Sequence, residues 1–456
     1  MSARATLRWA PWAVLTAVTD ALPPRWRFGH WTRLLGLLTP RGGLPTVPRA
    51  TAEHADAATV QSAPAGAVAR AGDIPGCLLV AGALDTGGVE TVVAALARGL
   101  PAHGVPADVV CTTGGRVADD LRAAGVRVDE LSVAELARRL SRHPPAAVQL
   151  HRIDEAHLQA LAPLAERTVL VLHAVESYFH DEMWAQLCAF AARAAGVVAV
   201  SDTVREFFAP RLGSASIEVV VNGVAETGRR MPRAPARARI TAATGIRFAP
   251  DDIVVVGLQR YSDQKNPAGL VDAFLAAAEQ EPRLRLLLAG APDSGLEVRR
   301  AEAVRRGHPA GARVHLLGDS DPDLLLAAGS LYALDSFAEG GPVSAIEAVA
   351  AGLPVVLSDV GLARRLVTDP RLGRVVPRAN TGFSQRDMAR QRRRRHQSNR
   401  DAFARGILTV ARECPSPHGL ALAAQFTRER MIAAHAAVLT AAARRRDAEP
   451  SRSGRD

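Results

Sequence analysis

A lysine and an arginine just beyond a predicted strand could bind phosphate. Lys265 is the only lysine among the 56 Lys and Arg residues of the chain, and it follows Arg260 by five positions. An ammonium is a compact point charge, whereas a guanidinium is a planar fork that contacts two oxygens at once. The pair could therefore hold a diphosphate. The alternative is a solvated loop that carries two cations.

Two glutamates, Glu339 and Glu347, are separated by seven residues, and the first of them precedes Gly340 and Gly341. A carboxylate accepts hydrogen bonds from two neighbouring hydroxyls, so it suits the vicinal diol of a ribose or another sugar. Glycine amides at the start of a helix suit phosphate oxygens. The apolar neighbours of Glu347 indicate a half-buried acid with a partner, and the alternative is an acid on a helix surface.

Glycines and histidines follow three other predicted strands. Gly87 and Gly88 form a strand-to-helix turn whose amides could approach an anion, although such a turn by itself is most often structural. The segment does not match the G-x-G-x-x-G fingerprint, so a nicotinamide dinucleotide is not indicated. His151 and His173 each end a predicted strand, where a histidine is also most often structural.

Metal and disulfide chemistry are not favoured. Asp319 and Asp321 form an acidic pair that could bind a metal, but Pro322 and a predicted helix follow, so Asp321 is better interpreted as a helix cap. The cysteines lie far apart without a C-x-x-C pair, which excludes a disulfide framework and a cysteine-ligated zinc. We interpret them as buried thiols in a reducing, cytosolic setting. They are Cys77, Cys111, Cys188 and Cys414.

Short apolar runs alternate with helical patterns from residue 74 onward. Apolar runs of four to seven residues between amphipathic helices predict parallel strands buried on both faces. The first set comprises residues 77–82, 107–111, 148–151, 169–173, 197–200 and 217–221, and the second set 253–257, 284–290, 314–317, 331–334 and 354–358. Two sets predict an α/β protein of two Rossmann-like domains, with a ligand cleft between them at the carboxyl ends of the strands.

The first 72 residues depart from this pattern and carry four of the five tryptophans. Tryptophan with scattered arginine suits a membrane interface, while a packed or disordered arm is the alternative, and a secretion signal is disfavoured. The Ala/Pro/Gly-rich stretch 41–72 is typical of a linker. No run of about 18 apolar residues occurs, so no membrane-spanning helix is predicted.

An arginine-dense stretch at 378–400 contributes to the net charge of +10. Its consecutive arginines 392–395 could form a disordered basic loop, or contact an acidic membrane surface or an anionic glycan acceptor. Nucleic acid is disfavoured as a partner, because no aromatic residues are interleaved with the arginines and no nucleic-acid-binding fold is indicated.

Five motifs in order resemble the retaining, nucleotide-sugar-dependent glycosyltransferases of family 4, which have the GT-B fold. The resemblance covers about residues 74–443. Residues 336–358 resemble the family's E-x7-E segment and the strand after it, and Arg260 with Lys265 resembles its R-x4-K motif. Residues 87–90 resemble its glycine loop, 198–208 its V-S element and 219–224 its hinge strand.

The resemblance implies roles for the motif residues. Arg260 and Lys265 would neutralise the departing diphosphate, and Glu347 would hold the ribose hydroxyls. Glu339 and His173 would lie by the transferred sugar, which completes the expected catalytic set. The glycines Gly87, Gly88, Gly340 and Gly341 would complete the donor site, and His151 is a candidate for acceptor contact. The family retains anomeric configuration by front-face attack, usually without a metal, so we expect no cofactor.

The predicted organisation has five parts. Residues 1–72 form an irregular arm and linker, 73–225 an acceptor domain, and 226–424 a nucleotide-sugar-binding domain with the basic insertion 378–400. Residues 425–443 form a helix that returns to the N-terminal domain, as the resemblance implies, and 444–456 form a disordered tail.

We therefore expect a hexosyltransferase-type enzyme that moves a sugar from a nucleoside diphosphate donor with retention. The acceptor would be a glycan, a lipid-linked molecule or a small molecule, and the product a cell-envelope glycan or glycolipid. We expect a cytoplasmic protein, with peripheral contact to an anionic inner leaflet as a further expectation. The alternatives are a non-catalytic GT-B scaffold on membrane or nucleic acid, and a nucleotide-sugar epimerase.

Overall fold

The computed structural model describes residues 3–22, 43–49, 76–85, 87–225, 231–413 and 420–448. The interface prediction for Trp26 and Trp31, most of the predicted linker, Cys414 and the tail beyond residue 448 lie outside the described residues.

Seven parallel strands form the first sheet of the described chain, in the order β3-β2-β1-β4-β5-β6-β7. The chain order reverses between β1 and β4, and in sheets of this type ligands bind beside the loops that follow such a pair. The strands are β1 (Cys77–Ala83), β2 (Ala107–Thr113), β3 (Val128–Glu130), β4 (Ala147–Leu150), β5 (Thr168–Leu172), β6 (Gly196–Ala199) and β7 (Ile217–Val219).

Helices connect these strands, and several begin at a capping side chain. Ser132 forms a capping box with Glu135, and Asp154 and Ser201 accept backbone N–H groups at the starts of the following helices. Such caps satisfy the first amides of a helix. The helices are α2 (Gly88–Gly99), α3 (Arg116–Ala123), α4 (Val133–Arg142), α5 (Glu155–Leu161), α6 (Asp181–Ala191) and α7 (Asp202–Leu212).

Six parallel strands form the second sheet of the described residues, in the order β10-β9-β8-β11-β12-β13. The order in which the chain adds strands reverses between β8 and β11. The strands are β8 (Ile253–Leu258), β9 (Leu284–Ala289), β10 (Val314–Leu317), β11 (Leu331–Leu334), β12 (Val355–Ser358) and β13 (Gly373–Val376).

The remaining helices surround this second sheet or lie at the ends of the chain. They are α1 (Ala3–Ala21), α8 (Arg233–Thr244), α9 (Pro267–Ala278), α10 (Gly295–Arg306), α11 (Pro322–Ala328), α12 (Val343–Ala350), α13 (Ala363–Leu366), α14 (Gln385–Arg393), α15 (Arg400–Glu413), α16 (Leu420–Ala423) and α17 (Arg428–Ala448). Within the described ranges, four short 3₁₀ turns also occur, at Leu100–His103, Ala162–Arg167, Pro309–Arg313 and Pro370–Leu372.

The chain divides into two compact units. The N-terminal unit comprises Ala57–Ala225, Gly340–Val343 and Gln425–Asp456, and therefore holds the first sheet and α17. The C-terminal unit comprises Met1–Asp56, Glu226–Glu339 and Ser344–Ala424, and holds the second sheet and α1. Helix α17 packs on α2, β4 and β5 within the N-terminal unit.

The two-sheet prediction is confirmed, and each sheet has one strand that the sequence did not reveal. All eleven predicted strands are present; two have the predicted bounds, and the ends of the others differ by one or two residues. The two additional strands are β3 (Val128–Glu130) and β13 (Gly373–Val376), which lie at sheet edges and pair on one side only. Both are short and carry a charged residue, so they lack the continuous apolar run of a buried strand.

Helix α1 is regular over Ala3–Ala21, where we expected an irregular arm. Trp9 is buried in the core of the C-terminal unit, and its indole N–H donates to the carbonyl of Arg393 (3.0 Å). The guanidinium groups of Arg300 and Arg395 lie 5.4 and 5.8 Å from the centre of the indole ring. Cation–π attraction adds to the apolar burial here.

The side of α1 that faces away from Trp9 is apolar and exposed to solvent. Val14 is 63% exposed and Val18 is 49% exposed, and Ala10 and Ala21 are exposed beside them. Across the part of the chain that the structure describes, no helix is both long and apolar enough to cross a membrane.

The arginine-dense segment is folded, and two of its four consecutive arginines form ion pairs inside the protein. Arg392 is 3% exposed, forms an ion pair with Asp20 of α1, and donates to Glu297 (2.5 Å). Arg395 donates to Asp272 (2.6 Å). The expectation of a disordered or exposed basic loop is therefore wrong at Arg392 and Arg395.

A second guanidinium completes this buried cluster. Arg300, 1% exposed, donates to Glu297 through two contacts of 2.8 and 2.9 Å and also to the carbonyl of Arg392. Burial opposes ionisation of Glu297, but the charges of Arg300 and Arg392 outweigh it and lower the pKa of Glu297 to about 2. The charged form is thus the stable one in the folded protein.

Two of the cysteines match the interpretation as buried thiols. Cys77 and Cys111 lie in β1 and β2 and are buried, and Cys188 is half-buried. Burial, with a smaller effect of Asp108, raises the pKa of Cys77 to about 12. A thiol with so high a pKa carries almost no thiolate at neutral pH and is chemically inert.

We expect Arg392→Met to destabilise the protein strongly, because it leaves Glu297 and Asp20 buried with less neutralising charge. The loss in the free energy of unfolding should be about 3–5 kcal/mol. Arg394→Met is the matched control, since Arg394 belongs to the same run of arginines but is exposed. Urea unfolding of both variants at pH 7 measures the difference. Equal stability of the two variants would contradict the buried ion-pair cluster.

Candidate functional site

The loop after β8 carries both cations of the predicted phosphate motif. Arg260 is about half exposed and donates to Asp293 (2.9 Å), which follows β9. Burial raises the pKa of the Asp293 carboxyl, and the charges of Arg260 and Lys265 oppose that rise. Asp293 was not predicted. Its only signal in the sequence is its place just beyond a strand that neighbours β8.

Lys265 and Glu339 form a close ion pair. The ammonium donates to both carboxylate oxygens of Glu339, at 2.6 and 2.7 Å, and the hydroxyl of Ser336 donates to one of them (2.6 Å). The exposed fractions of the two side chains are 19% and 6%. The structure therefore brings together two residues that the sequence assigned to different motifs, one after β8 and one after β11.

The loops after β8 and β11 are also held by hydrogen bonds to backbone carbonyls. The backbone N–H of Phe337 donates to the carbonyl of Gln264 (2.9 Å), and the side-chain amide of Gln264 donates to the carbonyl of Ala338 (2.8 Å). The side chain of Gln259 donates to the carbonyl of Lys265 (2.9 Å). The first two bonds join the loops that hold the ion pair, and the third fixes the loop after β8 internally.

Glu347 lies on α12, the helix that follows the Glu339 loop along the chain. It is half-buried, as its apolar neighbours predicted. Tyr332 of β11 is buried nearby, with its hydroxyl 2.8 Å from the hydroxyl of Ser344. Burial raises the pKa of Tyr332, and the negative charges of Glu339 and Glu347 raise it further.

The glycines and histidines of the prediction belong to the N-terminal unit. Gly87 precedes α2 with φ at +153°, and its carbonyl accepts from both the N–H and the hydroxyl of Thr91 (3.1 and 2.8 Å). A side chain on Gly88 would meet only Val343, at 3.6 Å. Gly340 lies so close to the strand-end histidine that a Cβ would stand 1.9 Å from the carbonyl oxygen of His173. This position therefore requires glycine.

Gly341 is held by a side chain of the predicted hinge strand. The amide of the buried Asn222 donates to the carbonyl of Gly341 (3.1 Å). Asn222 belongs to the sequence match at 219–224, so this motif contributes a contact as well as a strand.

Both candidate histidines belong to one hydrogen-bonded chain, in which His151 is buried and His173 half-buried. The ring of His151 stacks on that of His173, with Nδ1 and Nε2 2.9 Å apart. Gln149 accepts from His151 at 3.2 Å and donates to His435 of α17 at 2.9 Å. Gln149 and His435 were not predicted, because neither carries a motif or stands at a strand end.

These histidines are neutral. Burial lowers the pKa of His173 to about 3 and that of His435 to about 4, and it places the pKa of His151 well below its usual value. A neutral imidazole donates through one nitrogen and accepts through the other. The chain can therefore fix the orientation and tautomer of His173 without adding charge.

The acidic pair of Asp319 and Asp321 makes contacts within the protein. Asp321 caps α11 by accepting from the N–H groups of Asp323 and Leu324, which matches the interpretation as a helix cap. Asp319 pairs with Arg49 (3.4 Å). Among the described residues, one group could bring three ligand atoms together, and it is largely exposed: Glu155, His180 and Glu182.

Family comparisons match both units of the chain. Residues 86–227 match the family described as Glycosyltransferase Family 4, and residues 241–385 match the family described as Glycosyl transferases group 1. The first match covers the glycine loop and both histidines, and the second covers Arg260, Lys265 and the two glutamates.

Similar curated proteins are the phosphatidyl-myo-inositol mannosyltransferases of Mycobacterium tuberculosis and Mycobacterium bovis. They are 29% identical to this chain over 187 residues, which is 40% of this chain and 45% of each relative. The chain thus matches less than half the length of these relatives.

Three solved structures show the same architecture. HepE from Anabaena, in complex with UDP and glucose, has a TM-score of 0.60 at 19% identity, covering 82% of this chain and 98% of that one. A glycosyltransferase from Rickettsia africae has a TM-score of 0.62 at 15% identity, covering 81% and 98%. Sucrose-phosphate synthase from Thermosynechococcus elongatus has a TM-score of 0.58 at 17% identity, covering 82% and 97%. With two adjacent family matches and two parallel sheets, the chain is a glycosyltransferase of the family 4 type with the GT-B fold.

Proposed function

We propose that this enzyme transfers a hexose from a nucleoside diphosphate sugar to an acceptor with retention of configuration. The observation that carries the proposal is the Lys265–Glu339 ion pair beside Arg260, at the carboxyl ends of β8 and β11. This is the edge of a parallel sheet at which nucleotides bind. The solved relative from Anabaena is a complex with UDP and glucose, which supports a nucleotide-sugar donor here.

Both cations of the proposed phosphate site are neutralised by carboxylates in the donor-free protein. Lys265 contacts Glu339, and Arg260 contacts Asp293. A bound diphosphate replaces these contacts with its own oxygens. When the bond between sugar and diphosphate breaks, negative charge grows on the leaving group. A preorganised ammonium and guanidinium stabilise that charge without further rearrangement.

The same exchange frees the Glu339 carboxylate to accept hydroxyls of the transferred sugar. Glu347 holds the ribose hydroxyls of the donor. His173 lies by the sugar, and the glycine amides lie near the phosphates, at Gly87, Gly88, Gly340 and Gly341. The acceptor attacks from the side of the leaving group, which takes up the acceptor proton. Configuration is therefore retained without a metal.

We propose a glycolipid or envelope glycan as the product. The similar mannosyltransferases are named for phosphatidyl-myo-inositol, a membrane lipid. The exposed apolar side of α1 supports contact with a bilayer, and the adjoining sequence 23–38 contains Trp26, Trp31 and several arginines. The protein then works peripherally on an anionic membrane, the place where a lipid acceptor lies.

A panel of nucleotide sugars tests the proposed function. UDP-, GDP-, ADP- and dTDP-linked hexoses are mixed with the purified protein, and thermal shift identifies the donor. NMR of the product made with a phosphatidylinositol or glycan acceptor then reports the anomeric configuration. Inversion of configuration would overturn the proposed mechanism. Conversion of the donor to its epimer without transfer would instead show an epimerase.

We expect Lys265→Arg to lose most transfer activity although the charge is kept. A guanidinium cannot occupy the compact, mostly buried position of the ammonium beside Glu339. A loss of about 2–4 kcal/mol in transition-state stabilisation corresponds to a fall of roughly 30- to 1000-fold in turnover. Steady-state kinetics with the identified donor measure the fall, and the melting temperature controls for folding. Near-normal turnover would contradict the role of Lys265.

Glu339→Gln should bind the nucleoside diphosphate more tightly while losing transfer. The variant removes the carboxylate that competes with the diphosphate for Lys265. A charge-assisted contact contributes about 1.5–3 kcal/mol, so the affinity could rise by roughly tenfold or more. Glu347→Gln is the matched control, because the same change there should weaken binding through the ribose. Calorimetric titration with the nucleoside diphosphate measures both. Weaker binding by Glu339→Gln would show that Glu339 does not compete for Lys265.

The double variant Val14→Asp/Val18→Asp should lose binding to vesicles that contain anionic lipid. Each charge prevents an exposed apolar side chain from entering the bilayer, and the loss should be about tenfold or more. Co-sedimentation at low and high salt measures it, with neutral vesicles as a control. Arg394→Gln isolates the contribution of an exposed arginine. Wild-type protein that stays in the supernatant with anionic vesicles at low salt would contradict the membrane proposal.

A further inference from the structure

The residue after the motif lysine has an unusual backbone conformation. Among the described residues, Asn266 is the one non-glycine residue with positive φ, at +52°. Residues other than glycine adopt this left-handed region at a cost in energy, and it persists where the surroundings hold it. Asn266 is also 1% exposed, so its polar side chain must find its hydrogen-bond partners within the protein.

A reciprocal amide pair holds Asn266. Its amide nitrogen donates to the side-chain oxygen of Gln397 (2.8 Å), and the amide nitrogen of Gln397 donates back to the oxygen of Asn266 (2.7 Å). The same nitrogen of Asn266 lies 3.2 Å from Asp335. Asn399 donates to the other oxygen of Asp335 (2.8 Å). All four side chains are buried.

This network joins both loops of the ion pair to the arginine-dense segment. Asn266 adjoins Lys265, and Asp335 lies just beyond β11 in the segment that leads to Glu339. Gln397 and Asn399 come from a stretch separated from Asn266 by more than a hundred residues. Burial raises the pKa of Asp335 to about 7, while the amides of Asn399 and Asn266 oppose that rise.

The segment that supplies Gln397 is itself anchored on both sides. Arg392 is fixed by Glu297 and Asp20. Beyond it, a single carboxylate, that of Asp272, pairs with Arg395, His396 and Arg400 at distances of 2.6 to 3.2 Å. Two of the four consecutive arginines, Arg392 and Arg395, are therefore used inside the protein.

A glycine in the first turn of α9 leaves room for the amide pair. A Cβ on Gly269 would stand 2.3 Å from the amide nitrogen of Asn266 and 2.6 Å from the side-chain oxygen of Gln397. The interior of a helix ordinarily favours alanine over glycine by about 1 kcal/mol. Space for the Asn266–Gln397 pair is a specific reason for glycine at this position.

We propose that Gln397 is a positioning residue for Lys265, and that the arginine-dense segment is the support that carries it. The proposal rests on the proposed function, in which Lys265 binds the donor diphosphate. Gln397 contacts neither substrate nor reacting atoms. It fixes the left-handed turn at Asn266, which in turn directs the Lys265 ammonium.

The single lysine makes this proposal directly measurable. Protein grown with ¹³C,¹⁵N-lysine gives NMR signals from Lys265 alone, without any ligand. In Gln397→Leu we expect the Lys265 side-chain signals to shift or broaden. Gln391→Leu is the matched control, because Gln391 is also buried in this segment, at 6% exposure against 7%, but its side-chain oxygen accepts from the N–H of Ser398 rather than from the loop.

Gly269→Ala is a second, independent variant, because its methyl group would crowd both side chains of the amide pair. It should move the same Lys265 signals, and it keeps the test decisive if Gln397→Leu does not fold. Kinetics add a further measurement. The KM for the donor should rise about 3- to 10-fold in Gln397→Leu, the loss expected for one hydrogen bond, and stay unchanged in Gln391→Leu.

Lys265 signals in Gln397→Leu or Gly269→Ala that coincide with those of the wild type would overturn the proposal. Equal displacement in Gln391→Leu would also overturn it, because any disturbance of the segment would then suffice. Failure of the proposed function appears elsewhere, as wild-type Lys265 signals that do not respond to UDP, GDP, ADP or dTDP. The comparison of ligand-free variants still decides the role of Gln397 in that case.

Discussion

The ion pair between Lys265 and Glu339 is the contact on which the candidate site depends. A mostly buried ammonium is tolerated only where a carboxylate neutralises it, and a buried carboxylate equally needs its partner. Each residue therefore fixes the other, and the loops after β8 and β11 must come together for the pair to form. The parallel sheet achieves this, because β8 and β11 are neighbours at its topological switch point. The hydrogen bonds of Gln264 and Gln259 then fix the loops around the pair.

A second set of buried ion pairs, around the arginine-dense segment, supports the Lys265–Glu339 pair. Glu297, Asp20 and Asp272 are buried carboxylates, and the guanidinium groups that neutralise them come from the arginine-dense segment and from α10. Leaving any of these charges unpaired in the interior would be costly, so they determine where the segment can lie. The segment in turn presents Gln397 to Asn266. A stretch that resembles a disordered basic loop by composition is thereby a folded element next to the loop after β8 that carries Lys265.

The sequence predicted the features that local patterns encode. Buried strands such as β8 and β11 appear as apolar runs, and the motif residues stand at their ends, because a parallel sheet places its loops at one edge. Edge strands β3 and β13 lack such runs. The partners of the motif residues were not predictable in the same way. Asp293 and Gln397 are ordinary polar residues, and Gln397 reaches Asn266 across more than a hundred residues. Only the fold brings them together, and charge composition alone gives the wrong picture of Arg392.

The chain's composition also has a consequence for chemistry. Every basic side chain but one is an arginine, including positions where a bidentate contact to a carboxylate is useful, as at Arg305, whose Nε and one terminal nitrogen contact different oxygens of Glu302. At position 265 the cation contacts both oxygens of Glu339 from a mostly buried nitrogen, and a compact ammonium needs less room there than a planar guanidinium. In the proposed donor complex, the Lys265 nitrogen turns from a carboxylate to a phosphate while its position changes little. Arg260 is more exposed and contacts Asp293, so in the same proposal it follows the phosphates over a longer range. The two cations are thus suited to different parts of one task, a fixed charge at Lys265 and an adaptable one at Arg260.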